Sequence, residues 1–220
     1  MGDTVTVEWE LLAGLGEAER EAVLAAARRR RYARNEALFH EGDPGDSLHL
    51  IAEGHVAVRV TTPLGEVATL RIASPGEHLG ELAVLSPAPR NATVVALGDV
   101  ETLSIQKSAF DDLRRRHPAV DRMATEGLVA EVRRLAAQLQ EAMYVPAASR
   151  VLRRLLDLTE RFGRTVPLTQ DDLAGLAGTS RKTVNEVLGV AQERGLVRLG
   201  RGQVEVLEPV ALEEVALSPP

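Results

Sequence analysis

The stretch from Gln170 to Val187, QDDLAGLAGTSRKTVNEV, restricts the fold of this chain more than any other. Leu173, Ala174 and Ala177 stand before Gly178, and Val184 and Val187 stand after it. Two short helices crossing through a tight glycine turn need small or apolar side chains at these places, so the spacing predicts a helix-turn-helix. The segment after Gly178 opens with Thr179, Ser180, Arg181 and Lys182. Hydroxyl caps and two cations therefore sit where the second helix of such a motif enters a major groove, which points to double-stranded DNA as the partner.

The flanks extend this reading. Ser149 to Arg161 has helical periodicity, and beyond the motif Val197 and Leu199, then Val204 and Val206, alternate around Gly200-Arg201-Gly202 as in a hairpin. A hairpin in that place makes the head a winged helix-turn-helix. The formal net charge of -6 argues against a protein that coats nucleic acid through a broadly basic surface. Recognition of one DNA sequence needs only a local basic stripe, and Arg181, Lys182, Arg194, Arg198 and Arg201 supply one. Thr179, Ser180 and Thr183 suit phosphate oxygens, and the planar fork of Arg181 matches the N7 and O6 acceptors of guanine. Asn185 and Glu186 complete the candidate contacts on this helix. Glu186 either accepts from a cytosine amino group or pairs with Lys182 one helical turn away. Gln170, at the start of the first helix, can reach phosphate by a neutral hydrogen bond. Arg198 and Arg201 are equally suited to a phosphate clamp and to plain surface.

Before this head the hydrophobic period changes twice. Glu8 to about Arg31 reads as helix, with Leu11, Leu12, Leu15, Val23 and Leu24 spaced by threes and fours and with breaks at Gly14 and Gly16. From Ala37 to Gln106 the period is two, as in Leu48 and Leu50, then Val56, Val58 and Val60, then Leu70 and Ile72, then Leu103 and Ile105. Glycine or proline interrupts every few residues, which predicts a compact antiparallel roll. Aromatic content is only 3%, so Val, Leu, Ile and Ala must fill its core. Helical periodicity returns at Ser108 and runs past Pro118 to about Tyr144, where Pro146 stops it. Leu128, Val132, Leu135, Leu139 and Ala142 form a heptad seam along this helix. The same stripe also suits packing against the roll of its own chain. A homodimer is favoured, because a head that reads a palindromic operator needs a partner related by a two-fold axis.

The expected class is thus α+β: an antiparallel β-roll with flanking helices over 1–117, a dimerisation helix and hinge over 118–145, and the winged head over 146–220. The chain has no cysteine, which excludes disulfides, thiolate zinc sites and cysteine-ligated iron–sulfur clusters. No run of about eighteen apolar residues is present, so no membrane association is expected. The N-terminus has no secretory pattern, so a cytoplasmic location is expected. His40, His49, His55 and His78 fall within the roll, but without the paired spacing of a metal site. Neither metal nor haem is expected, and no enzyme motif is found.

The order of roll, long helix and winged head resembles the cyclic-AMP receptor protein (Crp/Fnr) family of bacterial transcriptional regulators over nearly the whole chain. Gly80-Glu81-Leu82-Ala83-Val84-Leu85 followed by Pro89-Arg90-Asn91-Ala92-Thr93-Val94 is similar to the family's phosphate-binding cassette. Gly42, Gly45, Asp46 and Gly54 match its earlier turn residues. The resemblance implies cyclic AMP as allosteric effector, Glu81 as acceptor for the ribose hydroxyl, and RNA polymerase as a further partner. Gly80, Glu81, Leu82, Arg90 and Asn91 become candidate effector residues. The chemistry is apt, because an anion inside an apolar barrel needs a counter-charge, and the fork of Arg90 can give two parallel hydrogen bonds to phosphate oxygens.

The chain departs from the family pattern at several places. Asn91 stands where Ser or Thr is usual. Leu135 and Ala136 occupy positions where members that answer to cyclic AMP carry hydroxyls for the adenine, and Gln138 or Gln140 substitutes only after a shift of register. Lys182 and Glu186 replace a glutamate and an arginine of the best-known reading helix, so the outer guanine of the half-site is expected to be kept and its neighbours changed. Two regulator readings stay open, control by a cyclic nucleotide or a ligand-independent member that activates transcription constitutively, and a metal-dependent β-roll enzyme is the remaining alternative. A buried Glu81–Arg90 ion pair closing an empty roll would fit the second.

Overall fold

The computed structural model describes residues 7–63, 65–86 and 88–217. The outermost residues of the first and last expected domains, 1–6 and 218–220, lie outside the described residues. A 3-10 turn at Glu10–Leu12 precedes α1 (Glu17–Ala25) and the strands β1 (Arg28–Tyr32), β2 (Ala37–Phe39), β3 (Ser47–Glu53), β4 (Val56–Thr61), β5 (Val67–Ala73) and β6 (His78–Leu79). Then come α2 (Glu81–Leu85), β7 (Thr93–Ala96), β8 (Val100–Gln106), α3 (Lys107–Arg116) and the long α4 (Pro118–Tyr144). The remainder is α5 (Ala147–Phe162), β9 (Thr165–Val166), α6 (Gln170–Ala177), α7 (Arg181–Glu193), β10 (Val197–Gly200), β11 (Gln203–Val206) and α8 (Pro209–Leu217).

The chain divides into two compact units, one of residues 1–60 with 71–133 and one of 61–70 with 134–220. Two sheets run in the orders β1-β8-β3-β6 and β2-β7-β4-β5. In the first, β8 pairs antiparallel with β1 and β3, and β3 with β6; in the second, β7 pairs antiparallel with β2 and β4. Strand alternation sorts the side chains of β3 between two cores. Leu48 and Leu50 join Val23, Ile105, Phe110, Val120, Met123 and Ala124 in a cluster under the helices. Ile51 points the other way and packs with Val56, Ala73, Leu79, Val94, Ala96 and Val100 between the sheets. Ser47 and His49 share that inward face and are buried with it.

The stretch Arg28–Tyr32 corrects the expectation of a helix reaching about Arg31. It is the edge strand of the first sheet, in register from Arg28 opposite Ser104 to Tyr32 opposite Val100. Arginine is a good helix former, but tertiary pairing overrides propensity here. Arg29 and Arg31 alternate onto one face and both reach the nearly buried carboxylate of Glu101, at 2.7 and 2.9 Å. Neither the short β9 nor α8 follows from the periodicity of the sequence. Leu212 and Ala216 bury one face of α8, and Pro209 at its first position needs no N–H partner.

In the second unit, α5 buries Val151, Leu152, Leu155 and Leu158. Each large apolar side chain removed from water contributes about 1.5–3 kcal/mol. Helix α6 opens with a capping box: Thr169 Oγ1 accepts from the Asp172 amide, and Asp172 Oδ2 accepts from the Thr169 amide, both at 3.1 Å. The other oxygen of Asp172 accepts from the hydroxyl of Thr69, in the 61–70 segment, at 2.7 Å. Gly178 ends α6 at φ 59° and ψ 46°, a left-handed turn that a side chain would strain. Ser180 then caps α7 by accepting from the Thr183 amide at 3.2 Å.

Candidate functional site

The two halves of the cassette meet around one side chain. Arg90 is folded into the wall of the roll with its side chain only 2% exposed. Its Nη2 donates to Ser47 O at 2.7 Å and Ser47 Oγ at 3.0 Å, and Nη1 donates to Gly80 O at 3.3 Å. Gly80 has φ +85°, and a Cβ there would lie 2.3 Å from Nη1, so only glycine leaves room for the guanidinium. The Arg90 carbon lies 4.0 Å from the ring centroid of Phe39, a cation–π contact. Nε is buried and has no hydrogen-bond partner among the described residues.

Arg90 does not pair with Glu81. Its nearest carboxylate is Asp46, 3.5 Å away and 68% exposed. Burial holds the Arg90 pKa below its ordinary value, against the raising influence of Asp46, Asp43 and Glu81. The roll therefore stores a desolvated cation whose one ion-pair partner is the exposed carboxylate of Asp46, with one idle donor. Glu81 is half-buried at the start of α2, while Leu82 and Asn91 are exposed.

Behind Arg90 runs a polar chain that the motifs alone do not reveal. Ser47 Oγ donates to Asp46 Oδ1 at 2.8 Å and accepts from Arg90. Its 3.2 Å contact with His49 Nε2 must then use a proton on that nitrogen, which leaves Nδ1 to accept from Thr102 Oγ1 at 3.2 Å. The ring is neutral because burial, aided by the Arg90 charge, pushes its pKa down to about 4. The signal lies in the period: Ser47 and His49 alternate with Leu48 and Leu50, and the apolar pair masks the polar one. The other histidines do not gather with it. His55 contacts Ser74 at 3.1 Å, and among the described residues no three potential metal ligands cluster.

The reading helix presents its cations to solvent, each beside an acid. Arg181 lies 3.1 Å from Asp171, Lys182 lies 3.9 Å from Glu186 one turn on, and Arg198 of the wing lies 2.6 Å from Glu205. Of the two sequence readings of Glu186, pairing with Lys182 is the one the free protein adopts. Arg201 and Asn185 are exposed, and Gln170, Thr179 and Thr183 are half-buried. The hydroxyls of Ser180 and Thr183 lie 3.0 Å apart.

Along α4, Val120, Met123 and Ala124 are buried, and Leu128 is half-buried. The rest of the seam is bare: Val132 is 66%, Leu135 50% and Leu139 62% exposed, and Ala142 is exposed as well. Gln138 is half-buried. Leu135 and Gln138 belong to the second compact unit, and the cassette belongs to the first.

Residues 29–117 match the family model of a cyclic nucleotide-binding domain, and residues 149–215 match that of a Crp-like helix-turn-helix domain. A cyclic AMP receptor protein of Thermus thermophilus is 37% identical over 207 residues, which cover 94% of this chain and 96% of that protein. The chain belongs to the Crp/Fnr family of bacterial transcription regulators. A CRP-like cAMP-activated global transcriptional regulator of Mycobacterium tuberculosis is 31% identical over 176 residues, covering 76% of this chain and 79% of its own. The crystal structure of the Thermus thermophilus catabolite activator protein matches with 36% identity and a TM-score of 0.56, covering 94% of this chain and 98% of that one. This Crp/Fnr member is a DNA-binding regulator with a cyclic nucleotide-binding domain, and its relatives are regulators rather than enzymes. Among the described residues no helix is long and apolar enough to cross a membrane.

Proposed function

We propose that this Crp/Fnr regulator is a cytoplasmic homodimer that binds cyclic AMP in its roll and, so loaded, grips a palindromic operator and engages RNA polymerase. Arg90 carries the reading. A buried guanidinium with an idle Nε, a glycine at its elbow and only an exposed carboxylate 3.5 Å away lacks an anion to complete it. A cyclic phosphodiester supplies one negative charge and acceptor oxygens in the fork geometry of arginine. Glu81, next to Gly80, is assigned to the ribose hydroxyl. Asn91 and Leu82 border the phosphate, and Leu135 and Gln138 of α4 are the candidate contacts to the base. The bare stripe of Val132, Leu135, Leu139 and Ala142 is covered by the same stripe of a second copy.

Ligand and DNA are linked only if the ligand favours the DNA-competent arrangement by differential affinity. In that arrangement the two α7 helices lie about one turn of DNA apart, with Arg181 on guanine and Gln170, Thr179, Ser180, Thr183 and the wing on phosphates. Lys182, Asn185 and Glu186 tune the adjoining positions. Calorimetric titration of nucleotide-free protein with cyclic AMP tests the reading. Saturation at one site per subunit is expected; no binding would leave a regulator that is constitutively competent.

A further inference from the structure

We infer that Arg150, on the first turn of α5, sets the spacing at which the two reading heads of the dimer engage DNA. The inference rests on the proposed dimer seam of α4. That helix cannot finish its own hydrogen bonding, because the Ala142 carbonyl needs an N–H four residues on, where Pro146 has none. Arg150 Nη1 supplies the missing donor, 3.2 Å from Ala142 O and 2.5 Å from Val145 O. The other side of the same guanidinium serves the helix-turn-helix. Nε donates to Ala177 O at 2.7 Å, and Nη2 donates to Gly178 O at 2.9 Å.

One planar cation therefore joins the C-terminal ends of α4 and α6, both of which carry partial negative charge. For α6 the accounting closes. The carbonyls of Ala174 and Gly175 accept from the amides of Thr179 and Gly178, Leu176 O accepts from Arg154 Nε at 3.3 Å, and Ala177 O accepts from Arg150. One turn along α5, Arg154 also pairs with Glu141 of α4. Two arginines four residues apart thus tie the end of the long helix to the turn that aims α7.

Helix α4 carries the proposed two-fold seam, and Gly178 begins the turn into α7. With the clamp closed, the reading helix follows the end of α4 as one piece, so the dimer presents its two heads at one separation. With the clamp open, the link at Val145-Pro146 is free to flex, and operators of neighbouring spacing are tolerated. Lysine cannot replace Arg150 fully, because one ammonium nitrogen cannot span both helix ends in the way a guanidinium fork does.

The test uses the full-length protein and an operator selected with the wild type. Affinity is measured by fluorescence anisotropy for the selected operator, for versions with one base pair more or fewer between half-sites, and for an isolated half-site. Arg150→Gln is expected to reduce the preference for the selected spacing on the order of tenfold while half-site affinity stays as in the wild type. Arg150→Lys should lie between, and it carries the same test if Arg150→Gln does not fold. A variant as spacing-selective as the wild type overturns the inference. So does equal loss on half-site and full operator, which marks a merely structural role. A wild type that sediments as a monomer and ignores spacing overturns the dimer reading, and this inference with it.

Discussion

Arg90 and Arg181 are the same residue in opposite electrostatic surroundings. Arg90 is 2% exposed and faces a carboxylate at 3.5 Å; Arg181 is 64% exposed and faces one at 3.1 Å. Water and salt screen the outer pair, so its acid can be exchanged for a base edge or a phosphate at small cost. The inner cation has no such relief, because its surroundings answer charge with a lower effective dielectric. On the proposed reading the inner site discriminates by charge, and the outer one by the geometry of the acceptors it meets. A sensor needs the first property, since a neutral metabolite must not trigger it. A reader of DNA needs the second, since every phosphate it passes carries the same charge.

The sharpest way to break this contrast is Arg90→Ala. Two charge-assisted hydrogen bonds are lost, each worth about 1.5–3 kcal/mol, so cyclic AMP affinity should fall on the order of 100-fold or more. Basal binding to nonspecific DNA should not change. Calorimetric affinity close to that of the wild type would show that the buried cation is not the anion's partner.

His49 sharpens the inner half of the comparison. Its folded-state pKa of about 4 lies below the ordinary 6.5, so as pH falls the unfolded chain takes up the proton first. Stability tied to this residue is complete above about pH 6.5, declines as pH falls towards about 4, and levels off below that. The loss is about 3 kcal/mol across that window. His49→Gln keeps a donor and an acceptor but does not titrate, so its denaturant midpoints should decline less over the same window. Parallel declines for the variant and the wild type would place the acid sensitivity elsewhere.

What could be read without coordinates follows the range of the interactions involved. The helix-turn-helix, the hairpin and the proline-stopped long helix rest on spacings within a few residues, and they stand where periodicity put them. The cassette was legible as a motif, and its two parts do converge on Arg90. The strand Arg28–Tyr32 was not, because its conformation is decided by the open edge of β8 and the carboxylate of Glu101, about seventy residues away. The chain from Arg90 through Ser47 to His49 and Thr102 was hidden for the same reason, since it needs the β3–β8 register opposite the second half of the cassette. Pro146 marks the Ala142 carbonyl as short of a donor, but that Arg150 also reaches the carbonyls of Ala177 and Gly178 depends on how α5 packs on α6 and leaves no trace in residue identities.

The outer half of the comparison yields the smallest effect and the finest test. If Arg181 reads guanine, Arg181→Ala should cost about 1–3 kcal/mol of discrimination at one position of each half-site. The neighbouring positions of a selected-site profile should keep their preferences. Arg201→Ala on the wing is the control: a phosphate or solvent-facing cation weakens all sequences alike and lowers the salt slope by about one. Asp171 makes the prediction more specific. In the free protein it holds the Arg181 fork at 3.1 Å, so reading a base means exchanging a carboxylate for N7 and O6. Asp171→Asn should weaken that competitor and raise affinity modestly for sequences with the guanine and hardly at all for those without it. A uniform gain across sequences would mean that Asp171 merely repels the backbone, and that Arg181 belongs with the phosphate contacts.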